Sequence, residues 1–500
     1  RFGHWYVQGA ASEDYQQHFR LSHDFTPGPY ENGGNRDNSF ANDWKVNLKS
    51  GYVTASGDEY SINVIDQQGQ KDNPVVDNTP PAGAQVRYWT WPAWDKQSVY
   101  WLSKTAIDAE GSFVKLRLYY DRFLNKLDSY DNATFTKQTR PYAFNSVYDD
   151  HAAGAIAEVD KNLFGGRDTL RGSFWYRWDE HQAQEDTNAK NGGPWYSQPG
   201  LTDSQMTYSA ALENIVHITP RWDLTAGVSY DYRHLIEAHD FDTFTPTPAA
   251  PPYGAVFSYP VADKYALNPE LATVYHYSDS GSVHANVTER TRFPTLFEMF
   301  SSRFGQATGN PYLSPEKSVN VEYGLADTLA HVHYELNLFH SLLRDGIESV
   351  PVTFPAPVGN TTQSQNVGNE VHQGVELSAR TRLLYGLDVG GNYTYIDYAS
   401  RPRATFRWMC PSTNCSPMPS GGRSIASRWC RASRLPRGAG CWSTAAPLTI
   451  AAANWPSATC APATGCRSAW RRTSASTTSP TPTTRSKTAT TRPAATTISM

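Results

Sequence analysis

Two short clusters in this 500-residue chain have the residue types to hold a metal or move a proton. Asp149-Asp150-His151 and Glu180-His181 set carboxylates beside imidazoles, the donor types of a divalent-metal site. Such a site needs three or four converging ligands, and neither cluster has another at a matching spacing. Both read as solvated residues at strand or loop edges. Ser, His and acidic candidates for a hydrolytic triad are scattered, with no local motif to join them. There is no Gly-rich phosphate cradle. All six cysteines, Cys410, Cys415, Cys430, Cys441, Cys460 and Cys466, lie beyond residue 402. Their spacings match neither a Cys-x-x-Cys pair nor a zinc ribbon, and no His is near them. No enzyme activity, metal or cofactor is expected.

The residues with the tightest positional meaning lie instead between Thr288 and Tyr323. Pro294, Pro311 and Pro315 cannot donate to a sheet ladder, and each biases the residue before it to extended geometry. The stretch therefore reads as a strand rising into an Arg-x-Pro corner, a loop with an Asn-Pro-x-Leu-x-Pro-Glu turn, and a strand descending.

The elements that must position this stretch are short strands of period two. Trp222, Leu224, Ala226, Val228, Tyr230 and Tyr232 share one face of a strand; Asp223, Thr225, Gly227, Ser229 and Asp231 share the other. Leu387, Val389, Gly391, Tyr393 and Tyr395 oppose Asp388, Gly390, Asn392 and Thr394 in the same way. Strands are expected near 4–19, 43–54, 59–66, 97–106, 113–122, 147–159, 168–178, 204–217, 222–234, 268–277, 282–292, 317–326, 331–342, 371–381 and 387–398. The short linkers lie at Ser56-Gly57, Ala109-Gly111, Gly165-Gly166, Pro220, Ser280, Asp327 and Tyr385-Gly386. They take turns with long ones at 20–42, 67–96, 123–146, 179–203, 235–267, 293–316 and 343–370. Strict alternation puts every large loop at one end of the sheet, the form of an up-and-down transmembrane β-barrel with short periplasmic turns and long extracellular loops. Strands of about ten residues suit a tilted crossing.

Composition agrees with such a barrel. Aromatic content is 13%, with 29 Tyr and 15 Trp, while mean hydropathy is only -0.57. No run of eighteen apolar residues exists to cross as a helix. Aromatics near strand ends, Trp5, Trp44, Trp101, Trp175, Tyr176, Trp222, Tyr232, Tyr275 and Tyr398, fit interfacial girdles. Aromatic groups in the long loops (Tyr88, Trp89, Trp91 and Trp94; Trp195 and Tyr196; Phe241, Phe244 and Tyr253) suit either ligand contact or loop packing, and no ligand-binding residue is assigned.

Arg292, Pro294, Glu298 and Phe300, followed by Asn310, Pro311, Leu313, Pro315 and Glu316, resemble the barrel motif of TonB-dependent outer-membrane receptors. Tyr88–Ser103, Arg117–Asp131 and the Asn366–Leu377 segment NVGNEVHQGVEL are similar to other barrel segments of that family. The resemblance covers most of residues 1–400. It implies an all-β outer-membrane barrel in a Gram-negative bacterium, with membrane lipid around it and a siderophore-like ligand, cobalamin or haem as cargo. It also implies a partner, the TonB complex, which acts through an N-terminal plug.

Two features depart from that pattern. Strand pattern begins by His4 and the chain opens RFGHWYVQGA, so no signal peptide, TonB box or plug is read; the barrel is expected to occupy residues 1–402 with the plug absent. From Arg403 onward the alternation stops. That tail holds thirteen of the 44 basic residues and none of the 48 acidic ones, leaving the first 402 residues with 31 against 48, a balance of -17. An acidic front excludes nucleic acid as a partner. The tail, residues 403–500, reads as a frameshifted remainder of the barrel, since Thr and Ala codons of a GC-rich gene conceal Tyr, Asn, Gly and Arg one base away. Such barrels have roughly 22 strands and about fifteen are read here, so the chain as written is expected to stay open and inactive alone. The alternatives are a passive porin and a soluble, tryptophan-rich carbohydrate-binding β protein.

Overall fold

The computed structural model describes residues 3–76, 86–188, 195–242, 254–302, 306–355, 359–383 and 387–402. The basic tail, its six cysteines and the Tyr385-Gly386 turn lie outside the described residues.

Among the described residues, eighteen strands and one helix follow in order. They begin with β1 (Trp5–Gln16), β2 (Ala41–Val53), β3 (Glu59–Asp72), β4 (Trp89–Ala106), β5 (Phe113–Ser129) and β6 (Phe144–Leu163). Next come β7 (Asp168–Asn188), β8 (Trp195–Ser197), β9 (Leu201–Thr219), β10 (Trp222–Glu237), β11 (His239–Asp242) and β12 (Ala255–Ser258). The series ends with β13 (Lys264–His276), β14 (Ser282–Arg292), α1 (Leu296–Phe300), β15 (Glu316–Leu329), β16 (Val332–Thr353), β17 (Asn360–Arg382) and β18 (Asp388–Pro402). One antiparallel sheet runs from β1 to β18 in chain order, with β8 attached to β7 and β11–β12 forming a separate hairpin. Among the described residues β1 pairs only with β2, and β18 only with β17.

All fifteen expected strands are present, and nearly all are longer than their apolar pattern at the long-loop end. β7 runs ten residues past Trp178, to Asn188, while β16 and β17 reach Thr353 and Asn360. Residues 343–370 are therefore almost entirely strand, not a loop. The reason is that alternation marks only the part of a strand whose outer face is apolar. Above it both faces are polar, and backbone pairing continues without a period-two signal.

The faces are reversed relative to a soluble protein. On β10, Val228 and Tyr230 are 41% and 49% exposed, whereas Ser229 and Arg233 between and beyond them are 4% and 2% exposed. Ile62 and Val64 on β3 face outward beside the buried Ser61, and Val99 on β4 beside the buried Ser98. Outward aromatics recur ten residues apart: Trp5 and Tyr15 on β1, Trp222 and Tyr232 on β10, Tyr265 and Tyr275 on β13. At about 3.4 Å per residue and a tilt near 40°, that spacing spans about 26 Å, the height of a lipid-facing apolar band. Trp175 is the exception. It points inward with Arg177 and Asp179 and lines the interior, so it belongs to no girdle.

The sheet curls until distant strands meet. Arg87, just before β4, donates to Gln306, beyond β14, at 3.2 Å. Those strands stand seven neighbours apart, about 34 Å on a flat sheet. Trp89, Trp91 and Trp94 sit on β4 itself rather than in a loop, stacked edge to face. Trp195 and Tyr196 form β8; Phe244 and Tyr253 lie outside the described residues.

Leu271, midway along β13 and 49% exposed, tests the reversed face. Leu271→Lys should lower the unfolding free energy in lipid vesicles by about 2–4 kcal/mol, the depth-dependent cost of a mid-bilayer lysine. A change within about 0.5 kcal/mol, normal for a water-facing site, would contradict that placement.

Candidate functional site: a clasped loop beside a polar lumen

The loop between β14 and β15 is closed at its neck by its own termini. Arg292 is the last residue of β14 and Glu316 the first of β15, and they are register partners. The Arg292 guanidinium holds two carboxylates. Its Nη1 and Nη2 donate to both oxygens of Glu298 at 2.8 and 3.0 Å, and its Nε donates to Glu316 at 2.5 Å. Bidentate charge-assisted bonds of this kind fix geometry as well as energy. The second oxygen of Glu316 accepts from the Ile347 amide on β16 at 2.6 Å, so the clasp reaches the next strand.

Glu298 is shared with a helix that the proline pattern did not announce. Thr295 caps α1, its hydroxyl accepting from the Glu298 amide while Glu298 accepts from the Thr295 amide, a reciprocal capping box. The Thr-x-x-Glu signal was present in the sequence. Burial alone would raise the Glu298 carboxyl, but the bonds from Arg292 and Thr295 outweigh it and leave it below its ordinary value.

The remaining residues of the expected motif pack or pin the loop. Pro294, Met299, Phe300 and Leu313 are buried, and with Leu235 and Ala238 the last three form the apolar cluster under the loops. The Asn310 side chain donates to the Ser364 carbonyl at 2.8 Å and accepts from the Tyr312 amide. Asn366, from the family-like NVGNEVHQGVEL segment, accepts from the Ser314 amide and donates to the Ser314 carbonyl. Gly309 allows a close approach: a Cβ there would meet the Tyr259 hydroxyl at 2.5 Å and the Met299 carbonyl at 3.0 Å. Pro311 and Pro315 bracket Leu313 within the loop.

Beside this loop the inner face of the sheet bounds a cavity of about 950 Å³. Strands β4 to β10 supply one wall and residues 291–302 the other. The wall is charged and internally paired. Asp150 and His181 are register partners in mid-strand and form an ion pair at 2.5 Å. They are therefore not edge residues of turns, as the sequence suggested, because β6 and β7 run on past them. Asp149, which is not among the lining residues, takes both Nε and Nη2 of Arg122, while on the wall Arg177 binds Asp179 at 2.6 Å. Above them Asp203 is 8% exposed, and burial pushes its carboxyl up to about 6, opposed by the His239 amide that donates to it. Among the described residues no group of three or more His, Cys, Asp or Glu is placed to hold a metal.

The arrangement can bind polar solutes in the lumen. Arg233, buried on this wall, was missed in the sequence; its inward parity with Ser229 and Asp231 was the available signal.

Residues 11–427 match the family model described as TonB dependent receptor-like, beta-barrel. Over 139 residues the chain is 32% identical to the vitamin B12 transporter BtuB of Photobacterium profundum, an alignment covering 27% of this chain and 22% of that protein. Among solved structures, the copper transporter OprC superposes with a TM-score of 0.60 at 16% identity, covering 79% of this chain and 57% of the other. The FrpB iron transporter from Neisseria meningitidis gives 0.57 at 13%, covering 80% and 59%. The chain thus spans less than two thirds of the length of these relatives. It belongs to the TonB-dependent receptor β-barrel family.

If the clasp holds the loop, Arg292→Met leaves Glu298 and Glu316 facing each other. Arg292 is nearly half exposed, so solvent screening limits the expected loss to about 1–3 kcal/mol. Protease cleavage within residues 293–315 should rise in parallel, and an unchanged cleavage rate would show that the clasp is dispensable.

Proposed function

Proceeding from that membership, we propose that residues 1–402 form the barrel portion of an outer-membrane receptor that imports a scarce nutrient, foremost a ferric siderophore, with energy delivered by TonB. The observation that carries the reading is the lumen. A sheet with an apolar outside bounds a cavity lined by charged side chains, many of them paired, and among the described residues the long connections leave the sheet at one end above it, where a solute would be captured. Cargo is named for similar proteins as iron, copper, ferric yersiniabactin and vitamin B12; for this chain a siderophore-like ligand is the proposal. Energised passage needs a plug, so the proposed activity is that of the barrel acting together with one. No step is catalytic: the residues described bind and orient, and the work comes from the partner complex.

Disrupting the gene in the bacterium that carries it, then feeding ferric siderophores, haem, cobalamin or copper under limitation, tests this. Loss of uptake of one of them, with wild-type uptake abolished when the proton gradient is collapsed, is the expected result. Uptake that persists without the gradient fits a passive porin and overturns the TonB-driven reading.

The tail belongs to the same proposal: residues 403–500 are the barrel's remaining strands in another reading frame. The nucleotide sequence around codon 402 should show a single-base shift that restores alternating apolar residues ending in an aromatic. If no frame does so, the tail is native and the proposed domain division fails.

A further inference from the structure

The inner face of β4 and β5 carries a guanidinium that is accessible and un-neutralised. Arg117 alternates with Leu118 and Tyr120, which are exposed on the outward face, so it points into the lumen, and it is itself exposed there. Its Cζ lies 4.9 Å from the Tyr100 ring centre and 5.3 Å from that of Tyr119. Among the described residues it has no hydrogen bond or ion pair. Contact with ring faces positions a guanidinium without cancelling its charge or using its N–H donors. The fork is left free.

The platform beneath it is fixed. Tyr100 and Tyr119 are register partners with ring centres 6.4 Å apart. The Tyr100 hydroxyl donates to Asp121 at 2.7 Å, and the Tyr119 ring lies over its partner Gly154, where a Cβ would meet it at 2.4 Å. Two more inward cations stand nearer the short turn. Lys104 and Lys115 are register partners whose Nζ atoms lie 4.4 and 4.6 Å from the Phe113 ring centre. Like charges directly opposite each other are destabilising, and of the two only Lys115 has a carboxylate, Glu158 at 2.6 Å. Neighbouring acids are held elsewhere: Glu59, opposite Lys104, by Lys49; Asp121 by the Ser98 and Tyr100 hydroxyls; Asp179 by Arg177. Lys115 is two residues from Arg117, about 7 Å along the strand, and Lys104 is the diagonal neighbour of Arg117 at about 7–8 Å.

We propose that this wall holds an oxyanion site for a small solute bearing two or more anionic groups. The Arg117 fork takes one group, and Lys104 with Lys115 takes the next. A guanidinium pairs with carboxylate and with phosphate alike. The site lies on the short-turn side of the cavity, whose lining includes Asp121 and Arg177, so a solute leaving the cavity toward that end passes along it. That place on a route rests on the function proposed above; the binding does not.

The full chain in detergent micelles is titrated calorimetrically at constant ionic strength with tricarballylate and, separately, with pyrophosphate. Saturable binding of at least one is expected. Binding of tricarballylate alone assigns the site to carboxylates, and binding of pyrophosphate alone to phosphates. Arg117→Gln should weaken it by at least about tenfold, as expected on losing a charge-assisted pair. Arg117→Lys, which keeps the charge without the fork, should weaken it less, and Lys104→Gln by a few-fold. Lys126→Gln, which removes an exposed cation of outward parity from the same strand, should leave it unchanged. Should circular dichroism show that Arg117→Gln does not fold, Arg117→Lys and Lys104→Gln carry the comparison. If neither probe binds saturably, or if Lys126→Gln weakens binding as much as Lys104→Gln does, the wall offers only diffuse charge and the proposal is overturned. Gradient-driven uptake is measured separately, so either reading can fail alone.

Discussion

Lateral backbone pairing is the constraint on which everything else rests. With apolar side chains outside and polar ones inside, the sheet is not held by a conventional core; among the described residues a buried apolar cluster of five lies beneath the loops. The strands are held by their ladders, β16 and β17 over twenty register pairs. In hydrocarbon an unpaired amide or carbonyl costs several kcal/mol, so each strand depends on both neighbours, and β1 and β18 mark where that dependence is unmet among the described residues.

The loop chemistry answers a second demand, that a long excursion at the sheet end keep a fixed shape. Arg292 closes the neck with two carboxylates, the Thr295 cap starts a five-residue helix, and Phe300 and Leu313 fold back under it. Asn366 then ties the loop to β17 through the Ser314 backbone. These contacts place Phe293 and Pro294 at the cavity wall, so the segment that looks most like a family signature forms one side of the lumen. Its residues shape that side of the cavity.

Strand number, order and direction were legible because a half-apolar strand announces itself by alternation. The upper ends of β7, β16 and β17 were not, since two polar faces leave no period. The Thr295–Glu298 box was readable, but three prolines in the same stretch favoured an irregular loop. Register explains the other misses. Asp150 meets His181, and not its sequence neighbour Glu180 or any turn, only because β6 and β7 pair as they do. Arg233 shows the limit most clearly: the sequence places it on the inner face, but its lack of a counter-charge follows from what every other acid on the wall already binds.

The overlong strands set the height of the mouth. If about eleven residues of β17 cross the bilayer, the remaining dozen of its 23, at about 3.4 Å each and tilted near 40°, carry the pairing some 30 Å farther out. A headgroup layer is only about 5–8 Å deep on each side. Those strand ends thus form a stiff turret that clears the lipid surface, with ordered backbone standing well above the membrane plane.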